Sequence, residues 1–94
     1  MFLLHVDLKP KPGAQKALES TYGEIFRPAI SLQKGFGQTR LLTPVEKDGD
    51  YRLIIGFEDQ PSQQQWVATD VHQEVWPQME ANCTQYSVRY YNSD

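Results

Sequence analysis

Hydrophobic and polar residues alternate from the first positions of the chain. Phe2, Leu4, Val6 and Leu8 fall on one side, and Leu3, His5 and Asp7 on the other. That period of two is the mark of a half-buried strand. Lys9-Pro10-Lys11-Pro12-Gly13 ends it, because proline brings no N–H to a ladder. The period then lengthens. Ala14, Ala17, Leu18, Thr21, Tyr22, Ile25, Ala29 and Leu32 recur at steps of three and four, which predicts a helix with Glu19 and Glu24 turned to water. Pro28 should bend or restart that helix near Arg27, and Gly35 is its natural left-handed stop. Residues 36–44 read as a second strand. Residues 45–50 read as a polar turn in which Asp48-Gly49 supplies the positive φ of a tight hairpin. The alternation is clearest in a third strand over 51–58, with Tyr51, Leu53, Ile55 and Phe57 on one face and Arg52, Ile54, Gly56 and Glu58 on the other. Asp59 can cap a second helix over 61–82, with Pro61 in its first turn. Pro77 should kink that helix at Trp76. A last strand covers 84–91, with Tyr86, Val88 and Tyr90 on one face.

The order β-α-β-β-α-β predicts a ferredoxin-like α+β domain, a four-stranded antiparallel sheet with two helices on one face, spanning residues 1–94 as a single domain. Two helices cover only one side of such a sheet. The other side would carry Leu3, Ile54, Leu41 and Tyr91 among polar residues, a mixed surface that suits a homodimer packed sheet to sheet as a dimeric α+β barrel.

Composition narrows the partners. Among 94 residues, 39% are hydrophobic and eleven are Phe, Tyr or Trp, so aromatics supply much of the core and of any pocket. A net charge of −3 with no basic run gives no electrostatic reason to bind nucleic acid or an anionic membrane. The N-terminal apolar run is too short for a signal-peptide core or a membrane span. The single cysteine, Cys83, allows no internal disulfide and fits a reducing, cytoplasmic setting.

Candidate chemistry is sparse. Trp66, His72 and Trp76 stand on the second helix, and histidine titrates near neutral pH. In a straight helix Trp66 and His72 do not share a face; a kink would be needed to join them. No metal site is expected: His5 and Asp7 lie on the sheet face away from His72, and Cys83 lacks companions at ligand spacing. Serines 20, 31, 62, 87 and 93 stand in no nucleophile motif. Gly35-Phe36-Gly37 is a helix stop and not a phosphate cradle. What remains is an aromatic-lined pocket between the second helix and the sheet. Tyr22, Trp66 and Trp76 would roof it above the strand faces that carry Val6 and Phe57, and a flat apolar ligand would suit it.

The chain resembles the antibiotic biosynthesis monooxygenase family of the dimeric α+β barrel superfamily. The resemblance rests on Lys11-Pro12-Gly13, Phe26-Arg27-Pro28-Ala29, Gln33-Lys34-Gly35-Phe36, the strand from Tyr51 to Phe57, and Trp66 followed six residues later by His72. It implies a homodimer and a cofactor-independent monooxygenase for a small aromatic, quinol or polyketide-like substrate, with His72 as base or hydrogen-bond donor. Trp66 and Tyr22 would shape the pocket, and no flavin, metal or haem is implied. Members without known activity leave a second reading, a non-catalytic small-molecule-binding or stress-related protein of the same fold. A sister group degrades haem with an asparagine on the first strand and a histidine ten residues after the helix tryptophan. Here Val6 and Trp76 occupy those positions, and neither can play the part; a haem-binding or haem-degrading protein is the third reading, and it would need His72 as the axial ligand.

Overall fold

The computed structural model describes residues 1–94. Its strands are β1 (Phe2–Pro10), β2 (Phe36–Leu42), β3 (Tyr51–Phe57) and β4 (Cys83–Asn92). Between β1 and β2 lie α1 (Gln15–Thr21), a π-helical turn (Tyr22–Phe26) and α2 (Arg27–Ile30); between β3 and β4 lie α3 (Gln60–Val67) and α4 (Asp70–Glu80). The strands form one antiparallel sheet in the order β2-β3-β1-β4, the ferredoxin-like arrangement that the sequence pattern predicts. Phe2, Leu4, Val6 and Leu8 of β1 and Tyr51, Leu53, Ile55 and Phe57 of β3 meet Leu18, Phe26, Ile30, Trp66, Val75 and Met79 in one core. No helix is long and apolar enough to cross a membrane.

The first helix departs from its predicted stripe. The buried positions are Leu18, Tyr22, Phe26 and Ile30, whereas Leu32 is 85% exposed. Steps of four drift by about 40° each around an ordinary α-helix. The π-helical turn absorbs the drift: the Arg27 N–H reaches back five residues to the Tyr22 carbonyl. Ile25 and Ala29, on the predicted stripe, end up at the margin of the core. The turn sits immediately before Pro28, where the sequence places a bend, and α2 restarts at Arg27.

Two turns differ in kind. Lys11-Pro12-Gly13-Ala14 closes with the Ala14 N–H on the Lys11 carbonyl at 2.9 Å and with Gly13 at φ +79°, the signature of a type II turn. Gly35 also adopts φ +79°, as a helix stop should, and a side chain there would strike Ser62. Gly49 does not have a positive φ. The predicted tight hairpin is instead an irregular eight-residue connection over 43–50, closed locally by the Gly49 N–H on the Glu46 carbonyl at 3.2 Å.

Register places the remaining side chains. Leu41 pairs with Leu53 and so lies on the helix side, not on the open face assigned to it from sequence. The open face carries Leu3, His5 and Asp7 of β1 beside Gly56, Ile54 and Arg52 of β3 and Tyr91, Arg89 and Ser87 of β4. There His5 packs on Tyr91 at 4.9 Å, and Arg52 pairs with Asp7 at 2.8 Å, holding that carboxyl below its usual range. On the helix side the Tyr51 hydroxyl donates to Glu19 at 2.5 Å and ties β3 to α1. Burial, and then that carboxylate, push the Tyr51 phenol up to about 12.

Candidate functional site

The site is built on a helix break. The Asp59 carboxylate accepts from the Ser62 N–H at 2.9 Å and starts α3, as the sequence predicts. The helix then stops at Val67. Thr69 is extended, with φ −76° and ψ 153°, and α4 begins at Asp70. The Thr69 hydroxyl serves both sides of the gap: it donates to the Trp66 carbonyl at 2.7 Å and accepts from the His72 N–H at 3.1 Å. A threonine cap followed by an acidic first-turn residue is a strong start signal. Pro77 lies inside α4 and does not end it, so the kink expected at Trp76 is displaced to Ala68-Thr69.

The break decides who meets whom. In a straight helix Trp66 and His72 would stand about 120° apart. Across the gap their rings meet edge to face, with centroids 5.1 Å apart. His72 and Trp76 are four residues apart on α4 and so lie on one side of it. Val75 and Met79 continue that side into the core. Phe26, from the π-helical turn, wedges edge-on against Trp66 at 6.1 Å and Trp76 at 6.4 Å.

Beneath these rings is a cavity of about 170 Å³. Leu4 and Val6 of β1 and Val88 of β4 form its floor, Trp66, His72 and Trp76 its roof, and Gln63 and Val67 of α3 one wall. Tyr86 and Tyr90 stand at the mouth, 42% and 60% exposed, because the helices reach only partway across β4. Trp76 packs edge-on against Tyr86 at 5.1 Å, and Phe2 stacks on Tyr90 at 5.7 Å. No lining side chain carries a formal charge apart from what His72 could acquire. The Nδ1 of His72 is sealed from solvent and has no hydrogen-bond partner. Burial pulls the His72 pKa below its ordinary value, so the ring is neutral at pH 7.

Of the residues singled out in the sequence, His72, Trp66, Trp76 and Val6 come together at this cavity. Tyr22 and Phe57 do not. Tyr22 stacks on Phe26 at 6.2 Å, and its hydroxyl meets Thr39 at 3.3 Å. Phe57 is fully buried against Phe36. Leu4 joins them from the same strand face as Val6, and the lining residues not singled out are Gln63, Val67, Tyr86, Val88 and Tyr90. The shared face of Tyr86, Val88 and Tyr90 was visible as alternation; pairing of Val88 with Val6 and of Tyr90 with Leu4 is what turns that face toward the helices. Gln63 carries no signal beyond lying one turn before Trp66.

Other chemistry finds no footing. No three His, Cys, Asp or Glu side chains converge as metal ligands would. Haem does not fit the cavity: at about 170 Å³ it is far smaller than a macrocycle, which leaves His72 no room to act as an axial ligand, and no lining cation awaits a propionate. A wider hollow of about 260 Å³ between Asp7, Lys9, Asp50 and Gln85 is polar, and Arg52 already engages its Asp7.

A family model described as antibiotic biosynthesis monooxygenase matches residues 1–77. No curated protein matches the chain in sequence. Among solved structures, a variant of SnoaB, a cofactor-independent oxygenase from Streptomyces nogalater, superposes with TM-score 0.86 at 15% identity, covering 98% of this chain and 91% of that one. A candidate antibiotic biosynthesis monooxygenase from Caulobacter crescentus gives 0.85 at 13% identity over 99% and 89%. A conserved protein from Methanosarcina mazei gives 0.84 at 12% identity over 99% and 92%. Likenesses this distant in sequence speak to the fold.

Proposed function

The chain belongs to the antibiotic biosynthesis monooxygenase family, and on that premise we propose that it is a cofactor-independent monooxygenase that inserts oxygen into a small hydroxylated aromatic compound held under Trp66, His72 and Trp76. The observation that carries this reading is the cavity itself: ring-lined, uncharged, open at one end, and edged by a neutral imidazole. Apolar walls with one or two polar groups bind and orient a flat ring.

The chemistry draws all its electrons from the substrate. A phenolic ring that has released its O–H proton delivers electrons to dioxygen. A bond forms between a ring carbon and one oxygen atom, the O–O bond breaks, and the ring carbon becomes a carbonyl. Phenol plus dioxygen gives quinone plus water; four electrons leave the ring, and the second oxygen atom takes the hydroxyl proton and the displaced ring proton. The chain's own contribution is to bind the ring, hold its oxygen at His72, exclude bulk water from the ring face and leave a mouth at Tyr86 and Tyr90 for the proton to depart.

Size restricts the substrate. A cavity of about 150 Å³ accommodates benzene, and the one here is close to that at about 170 Å³. It suits a single ring better than a three-ring polyketide. Purified protein should therefore consume oxygen above the uncatalysed rate with hydroquinone, one atom of dioxygen entering the ring to give hydroxybenzoquinone and the other leaving as water, and should not do so with a dihydroxyanthracene. Binding of one-ring compounds with no oxygen uptake from any of them would leave a ligand-binding protein in place of an oxygenase.

We also propose a homodimer. Leu3, Ile54 and Tyr91 are the large apolar residues of the open face, and covering it would remove their exposed surface from water. Sedimentation equilibrium should give twice the 10.8 kDa chain mass, and substitution of Ile54→Glu at the centre of that face should return the single mass; a wild-type monomer would refute the assignment.

A further inference from the structure

The two nitrogens of His72 are in opposite situations. Nδ1 is closed off from solvent and meets neither a donor nor an acceptor. Nε2 is not sealed in this way, and the ring lines the cavity, so the edge that carries Nε2 is the accessible one. A neutral imidazole holds a single proton, on one nitrogen or the other. A buried N–H without an acceptor is the rarer and costlier orphan; a buried lone pair without a donor is better tolerated. The proton therefore belongs on Nε2, where a ligand or water can receive it.

We infer that His72 presents Nε2–H to the cavity as a fixed neutral hydrogen-bond donor, so the site selects one-ring aromatic ligands that offer an accepting oxygen, a phenolate or a ring carbonyl, at that point. The inference rests on the cavity assigned above and gives the residue a different task from that of a base. To take a substrate proton on Nε2, the ring would first need its own proton on Nδ1, where nothing receives it. The usual companion of a catalytic histidine base, a carboxylate or carbonyl behind Nδ1, is missing here. The surroundings agree. The imidazole faces the Trp66 ring on one side and an uncharged lining on the other, and the titratable groups that share the cavity are the exposed phenols Tyr86 and Tyr90. Burial without a partner also opposes the doubly protonated ring. A neutral donor of this kind leaves the phenol to ionise by losing its proton to water at the mouth, then holds the oxygen while negative charge collects on it.

Two measurements decide the matter without requiring turnover. In protein labelled with nitrogen-15, long-range proton–nitrogen correlation should show Nε2 of His72 as the protonated nitrogen and Nδ1 as the bare one at pH 7.5. Binding can be followed through tryptophan fluorescence with two probes of one shape, acetophenone, which has an accepting oxygen and no O–H, and α-methylstyrene, in which a CH2 group replaces that oxygen. Acetophenone should bind about three- to tenfold tighter, the worth of one neutral hydrogen bond. The ratio should collapse to near one in His72→Phe and survive in His72→Gln, whose amide N–H can still donate. A proton on Nδ1, equal binding of the two probes by the wild type, or failure of both to bind would each overturn the inference. If the probes behave as expected yet hydroquinone draws no oxygen, the donor assignment stands and the oxygenase reading falls.

Discussion

Replacing His72 with phenylalanine should lower the rate of hydroquinone oxidation about 100- to 1000-fold, the cost of removing one preorganised donor from a developing oxyanion. The loss should fall on kcat, because charge gathers on the substrate oxygen after binding, and the donor's greater worth is realised only then. KM should change by only the severalfold expected of a single hydrogen bond to the ground state. The phenyl ring keeps the edge-on packing that the imidazole makes with Trp66, so the fold has no reason to fail. His72→Gln is the informative companion. An amide cannot serve as a base near pH 7, but it donates. If His72 were the base, glutamine would be as damaging as phenylalanine; if it is the donor, glutamine should retain a tenth or more of the wild-type kcat. Steady-state oxygen uptake for the three proteins separates these outcomes, and a phenylalanine variant within threefold of wild type would remove His72 from the reaction altogether.

The contrast between what was legible in the sequence and what was not follows from range. Alternation over Phe2–Leu8 and Tyr51–Phe57 reports burial directly, because neighbouring positions in a strand face opposite sides whatever else the chain does. The βαββαβ order then leaves few topologies, and the observed sheet order is the common one. The site was only half legible. His72 and Trp76 share a side of α4 by spacing alone, yet the meeting of His72 with Trp66 depends on a two-residue break at Ala68-Thr69. Pro77, the louder signal, drew the expected kink away from it. Thr69-Asp70 was the quieter and decisive one, a cap inside what the apolar pattern reads as continuous helix. The mouth at Tyr86 and Tyr90 was not legible, since it depends on how far α4 reaches across β4, which no local pattern encodes.

The same reasoning about register makes Phe26 the most consequential core residue of the first helical segment. A uniform helix puts Ile25, Ala29 and Leu32 inward; the π-helical turn instead delivers Phe26 and Ile30 to the core and leaves Leu32 in water. Phe26 is 1% exposed and touches the rings of Tyr22, Trp66 and Trp76, with centroids 6.1–6.4 Å away. Phe26→Ala would remove a fully buried ring from the junction of three others and leave a void that close-packed neighbours only partly refill. That should cost about 3–5 kcal/mol, against a total of about 5–15 kcal/mol for a domain of this kind. The melting temperature should fall by roughly 15–30 °C. Leu32→Ala, at a position 85% exposed, should change stability by less than about 0.5 kcal/mol. Urea unfolding of the two variants reads the register of the helix without any assay of function. An unbroken α-helix would reverse their order, with the leucine costly and the phenylalanine cheap. The aromatic roof of the cavity would then lose the wedge that seats Trp66 and Trp76 beside His72, so the stability of Phe26→Ala is also a test of how the site is assembled.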